Sequence, residues 1–301
     1  MRIIDAFNEI LNKYIRPKSI LYGQNITKGS RIAGMTNFLN NFKTAEVINT
    51  QNSENTLIGF GLGLALSGKK SIYFVKQLDF ILLGLDHIVN TLNSLVLEKI
   101  KGSFSIITYI VDSGYEGPQS RLHNLQEISN ISRVNCIYLI FPDDIKYNLK
   151  QINKKIFNIF CLSQKHSRLD VSPKCLKKFD NGRIFKYSSG KKATLVSVGF
   201  SSYYVYETII KNNINDYDFF VISNLQSKNF NMILESAKKT KKILLFDDSR
   251  SPSKNFLDKL ELTLSNFSKK IKVSKYYKQD KIVDLYINKD EYKPIIYKKL
   301  W

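Results

Sequence analysis

The feature that most constrains this chain is a rhythm. Short runs rich in Ile, Val, Phe and Tyr alternate with segments whose apolar residues recur at helical spacing. Helical patterns cover 3–15, 32–42, about 53–67, 80–97, 125–131 and 143–152. Strand patterns cover 20–22, 45–48, 71–75, 104–111, 136–141 and 156–162, with a polar loop at 112–121. Regular βα alternation predicts an α/β fold, a parallel sheet with helices on both faces. The rhythm fails over 163–192, which is rich in Lys and Ser and carries Pro173. It resumes with strands at 193–198, 219–222 and 243–246 and helices at 203–210 and 232–239. The expected organisation is a first domain at 1–165, a linker at 166–192 and a smaller α/β domain at 193–301.

Composition narrows the function classes. The chain is 43% hydrophobic, enough to build cores, and its formal charge is +20. The excess is mostly Lys spread along the chain, accompanied by abundant Asn and Ile, which reads as the coding bias of an AT-rich genome. A nucleic-acid surface calls for arginine patches interleaved with exposed aromatics, so no nucleic-acid partner is expected. No run approaches the roughly 18 apolar residues of a membrane span. The opening segment places Asp5 and Glu9 inside a helical pattern, unlike a secretory leader. The expected address is the cytoplasm, without a membrane. Cys136, Cys161 and Cys175 are widely spaced, which predicts neither disulfides nor a zinc ribbon. Cys136 and Cys161 read as small buried hydrophobes in strands. The three histidines stand apart, so no metal site is expected.

The most informative stretch is Asn49-Thr50-Gln51-Asn52-Ser53-Glu54, followed by glycines at 59, 61 and 63. A dinucleotide turn needs its glycines at the start of the helix and a third small residue at a later offset. Here they begin well inside the helix, and close helix packing is the simpler reading. Glu54 stands at a strand-to-helix junction, where a carboxylate is also favoured by the helix dipole.

This stretch, with Tyr73-Phe74-Val75-Lys76-Gln77-Leu78-Asp79-Phe80 and Asp86-His87-Ile88-Val89-Asn90, resembles the beta subunit of the pyruvate dehydrogenase type of 2-oxoacid dehydrogenase. It is similar to that family's S-E-x-x-x-x-G-x-x-x-G-x-A, D-F and D-x-I-V-N segments, in order and at matching separations. The resemblance continues through Ile137 to Pro142, Ala193 to Gly199 and Ile233 to Thr240, so it covers nearly the whole chain. It implies a pyrimidine-binding domain followed by a domain like the C-terminal one of transketolase. It also implies thiamine diphosphate as cofactor, shared with an alpha-type subunit that holds the diphosphate and Mg2+ in an α2β2-like assembly. This chain has no G-D-G motif of the kind that partner uses.

The resemblance assigns roles residue by residue. Glu54 matches the glutamate that contacts N1′ of the cofactor's pyrimidine. A carboxyl desolvated there can hold and exchange a proton, where Gln could not. Phe80 matches an aromatic beside the ring, and Gln77 stands where the family often has another aromatic. Gly59 and Gly63 match packing glycines. His123 lies near the family's loop histidine, but the usual H-S-Q is absent, and the transketolase pattern G-P-T-H would put Ser120 at that position. Arg121 is a candidate for a substrate carboxylate or phosphate. His87 reads as a helix-packing residue, and His166 carries little weight. The expected reaction is decarboxylation of a 2-oxoacid with transfer of the acyl or aldehyde unit. Two alternatives stand beside it: ketol transfer between sugars by a split transketolase-like enzyme, and a degenerate subunit that completes no site. Altered loops at Leu225–Asn231 and Asp247–Pro252 mark a divergent member.

Overall fold

The computed structural model describes residues 1–41, 45–95, 100–112, 123–153, 157–247, 255–267 and 271–277. In chain order the first unit comprises α1 (Ile3–Tyr14), β1 (Ile20–Gly23), β2 (Glu46–Asn49), α2 (Glu54–Leu66), β3 (Lys70–Gln77), α3 (Leu92–Leu95), β4 (Ser103–Ile110), α4 (Leu125–Ile131), β5 (Asn135–Leu139), α5 (Pro142–Leu149) and β6 (Phe157–Ser163). The second comprises β7 (Lys177–Phe179), β8 (Ile184–Ser188), β9 (Ala193–Val198), α6 (Ser201–Lys211), β10 (Tyr217–Ile222), α7 (Asn231–Thr240), β11 (Lys242–Asp247), α8 (Asn255–Phe267) and β12 (Lys272–Tyr277).

The first sheet runs β2-β1-β3-β4-β6-β5 and is parallel throughout. Its inner strands carry continuous apolar runs because both faces are covered; every residue of β4, β5 and β6 is buried. Cys136 and Cys161 lie among them, buried and free of any disulfide. The second sheet runs β12-β11-β9-β10-β8-β7, parallel except for the antiparallel pairings of β8 with β10 and of β7 with β8. The chain is thus α/β with two sheets, as the alternation predicts.

Three local expectations are corrected. The stretch 166–192, read as linker, carries β7 and β8, which extend the second sheet at its edge. Its lysines are those of an edge strand: Lys177 and Lys178 are exposed, while Ile184 and Phe185 are buried. Charged edges block further strand pairing. The pattern at 80–97 is no single helix. A 3-10 segment (Leu78–Gly84) leads to a π turn (His87–Thr91) and the short α3. At Gly84 a Cβ would stand 2.5 Å from Ile58 Cδ1, so this segment presses on α2. Of the pattern at 32–42, the described residues 32–41 form turns and a 3-10 segment (Asn37–Asn41). The Thr36 hydroxyl bonds the Ile26 and Arg31 carbonyls and competes with a helical ladder.

The two units meet along β5. Ile137 forms an antiparallel bridge with Asn224, Tyr138 N–H donates to the Ser223 carbonyl at 2.7 Å, and Leu225 N–H donates to the Cys136 carbonyl at 3.0 Å. The segment after β10 therefore caps an otherwise open sheet edge. Tyr203 on α6 donates its hydroxyl to the Ile140 carbonyl. At the start of α5 the Asp144 carboxylate accepts from Ile140 N–H (2.9 Å), Phe141 N–H (2.8 Å) and the Tyr187 hydroxyl (3.2 Å) of the second unit. Such a residue at the third helical position satisfies donors at the helix start. Among the described residues no helix is long and apolar enough to cross a membrane.

Candidate active site

The site is built at the C-terminal edge of the first sheet, where ligands gather in parallel α/β folds. The end of β2 is pinned by Asn49, which donates to Thr27 Oγ1 at 2.5 Å and accepts from Thr27 N–H at 3.2 Å. The chain then turns through 50–53 into α2, whose first residue is Glu54. Glu54 is half-exposed. Its carboxylate acts on Tyr73 of β3: burial first, and then that negative charge, push the Tyr73 phenol well above its ordinary range.

Tyr73 stacks on Tyr22 of β1, with ring centroids 5.1 Å apart, and Phe60 of α2 meets Tyr22 edge-on at 5.2 Å. Tyr22 also donates its hydroxyl to the Leu57 carbonyl at 2.8 Å. Glu54 therefore stands beside an aromatic floor. The pairing of the two tyrosines escapes sequence reasoning. It needs the β1–β3 register, which sets Tyr22 opposite Tyr73; the only local signal is a Tyr in each of two strands.

Gln77 ends β3 and is buried, and Phe80 follows it, half-buried, in the 3-10 segment packed on α2. The β3–β4 register slips between Val75 and Gln77, leaving Lys76 as the extra residue. A bulge of this kind re-aims the side chains around it, and no sequence pattern announces it. The segment that carries Gln77 and Phe80 thus packs on the same helix that Glu54 begins.

The α2 helix is apolar almost all round, yet one face is exposed among the described residues. Phe60 is 43% exposed, and a Cβ at Gly63 would meet nothing within 4 Å. Gly59 is different: a Cβ there would lie 2.9 Å from His87 Nε2, so this glycine admits the imidazole. His87 packs as expected, with Nδ1 3.4 Å from Thr91 Oγ1.

His123 is buried at the junction of the two units. Its Nε2 lies 3.3 Å from the Tyr138 hydroxyl of β5, and the rings meet edge-on. Next to it Gln126 donates to Asp247 Oδ2, at the end of β11, at 2.8 Å. Arg121 and Ser120 lie outside the described residues, as do Gly117 and Pro118.

His166, which carries little weight in the sequence, belongs to a second polar cluster. Ser163 Oγ donates to Asp112 Oδ2 at 2.5 Å, His166 Nδ1 lies 2.8 Å from Ser163 Oγ, and Lys165 N–H donates to Asp112 Oδ1 at 2.8 Å. His166 stacks on Tyr203 of the second unit at 4.6 Å. Burial alone would raise the Asp112 carboxyl, but the hydrogen bond and charge of His166, with the Lys165 and Ser163 donors, hold it below its ordinary range. The partners come from 112, 163–166 and 203, so only tertiary structure assembles them. Among the described residues no group of three or more His, Cys, Asp or Glu is placed to hold a metal.

No family model matches the chain. Over 92 residues it is 30% identical to the 2-oxoisovalerate dehydrogenase subunit beta 2, mitochondrial, of Arabidopsis thaliana. That match spans 30% of this chain and 26% of the relative. Among solved structures it is similar to a split gene transketolase in its inactive beta4 tetramer, with a TM-score of 0.65 and 14% identity. This likeness covers 93% of the chain and 90% of the other, and it shows the fold.

Proposed function

We propose that this chain is the beta-type subunit of a thiamine diphosphate-dependent enzyme and completes its site only with an alpha-type partner, in an α2β2 assembly. The observation that carries the reading is Glu54: a half-exposed carboxylate at a strand-to-helix junction, beside stacked tyrosines, on a helix whose apolar outer face is exposed among the described residues. A helix that is apolar all round is ordinarily buried, so a second chain closing over Phe60 and Gly63 accounts for the composition of α2.

The residues present fit half of the cofactor. Glu54 would hold a proton against N1′ of the pyrimidine, Phe80 would offer a ring face, and Gln77 would bound the pocket. No G-D-G motif stands ready for the diphosphate or Mg2+, which falls to the partner. When bound, thiamine diphosphate supplies a carbon nucleophile and an electron sink for cleavage beside a carbonyl. This chain's part is to orient the pyrimidine, exclude water and let Glu54 exchange one proton.

The reaction we favour is decarboxylation of a 2-oxoacid followed by transfer of the acyl or aldehyde unit, with His123 moving a proton and Arg121 meeting the substrate carboxylate. Ketol transfer is the second reading, favoured by the Gly117-Pro118 pair in the loop before His123. The test is co-expression with an alpha-type chain carrying G-D-G. The isolated chain is expected to bind thiamine diphosphate weakly and the complex tightly. Glu54→Gln should leave assembly intact and lower turnover by about 10²–10⁴-fold, the usual worth of a positioned proton-transfer group. Tight binding by the isolated chain, or full turnover by the Gln variant, overturns the reading. Assays with a 2-oxoacid and with a ketose phosphate separate the two reactions, and activity with neither marks a degenerate subunit.

A further inference from the structure

A cavity of about 620 Å³ opens at the opposite, N-terminal edge of the first sheet, lined by Lys13, Tyr14, Arg16, Pro17, Lys70 and Lys150 among others. Lys70 and Gln77 are the two ends of β3, so the cavity lies roughly 23 Å along the strand from the candidate active site. Its volume is within the range of small-molecule pockets.

The charge of the lining is one-sided. Lys13 pairs with Glu9, one turn earlier on α1. Among the described residues Arg16, Lys70 and Lys150 take part in no ion pair. Cations near helix C-termini are favoured by the helix dipole, which accounts for Lys13 and Lys150 singly. It does not account for Lys70, which begins a strand, or for Arg16, which lies beyond the C-cap of α1. Like charges gathered in one concave site focus a positive potential and repel one another until an anion enters. Arg16 has the planar fork that binds phosphate oxygens in pairs. Tyr14, Ile15 and Pro17 supply an apolar wall for an organic group. That wall is built in advance: Asn153 donates to the Tyr14 carbonyl at 2.7 Å and ties the end of α1 to the end of α5.

We propose that this cavity binds a small organic phosphate carrying at least two negative charges, at a site separate from the thiamine diphosphate reading. The test is calorimetry on the full chain with ADP, inorganic diphosphate and, as the uncharged counterpart, adenosine. ADP and diphosphate should bind at micromolar to submillimolar concentration and adenosine should not. Combining Arg16→Gln, Lys70→Gln and Lys150→Gln should weaken ADP at least tenfold with an unchanged circular dichroism spectrum. A matched variant with three exposed lysines removed elsewhere, Lys178→Gln, Lys238→Gln and Lys259→Gln, loses the same net charge and should bind ADP within about twofold of the unaltered chain. Absence of ADP binding, equal loss in both triple variants, or unchanged affinity in the pocket variant overturns the proposal.

Discussion

Replacing Gly199 by alanine should impose two separable costs. Gly199 has φ +62°, a conformation that costs an L-residue roughly 1–2 kcal/mol. The new Cβ would also stand 2.9 Å from Tyr138 Cε1 and 3.0 Å from its Cζ. That ring has little room to yield: it is fully buried, with Phe200 edge-on at 5.2 Å and His123 on its hydroxyl. Overpacking of this kind costs about 1–3 kcal/mol, so the whole penalty is about 2–5 kcal/mol. Gly29 supplies the control. Its φ is +59° and a Cβ there would meet nothing within 4 Å. Gly29→Ala carries only the conformational cost, and both variants gain the same small benefit from a stiffer unfolded chain. Urea denaturation should show Gly199→Ala at least about 1 kcal/mol less stable than Gly29→Ala, the lower bound of the overpacking cost. Equal losses would mean that Tyr138 moves freely and that the junction around His123 is not tightly packed.

Two pH-dependent outcomes follow from the buried carboxylates. Asp112 is held below its ordinary range, so its stabilisation is present above about pH 4 and is lost as pH falls through the depressed native value. Asp112→Asn should cost about 2 kcal/mol at pH 7, the worth of hydrogen bonds to a charged group, and its deficit in melting temperature should shrink in acid. Asp144 behaves in the opposite sense: burial pushes it up to about 7, against the pull of the Ile140 and Phe141 N–H groups and the Tyr187 hydroxyl. The native state then holds this proton between about pH 4 and 7 while the unfolded chain does not, so its contribution declines as pH rises through that window. The melting-temperature gap between the unaltered chain and Asp144→Asn should narrow from pH 5 to pH 8; a gap constant with pH would refute the assignment.

What the sequence determined by itself is the alternation of strands and helices, and with it the α/β class and the parallel core. These follow from local hydrophobic period, which is read residue by residue. The position of Glu54 was legible for the same reason, since a strand end, a turn and a helix start are neighbours in the chain. Local reading failed where two elements share a surface. The 3-10 and π turns at 78–91 depend on how closely Gly84 and Gly59 let that segment approach α2. The strands at 177–179 and 184–188 gain their place because β8 pairs with β10 and β7 with β8, and their lysines look like a linker until that edge is known. The tyrosine floor beneath Glu54, the Asp112–Ser163–His166 cluster and the burial of His123 against Tyr138 were decided by tertiary structure alone. Each joins residues distant in sequence through register and packing, which set distances that no local periodicity encodes.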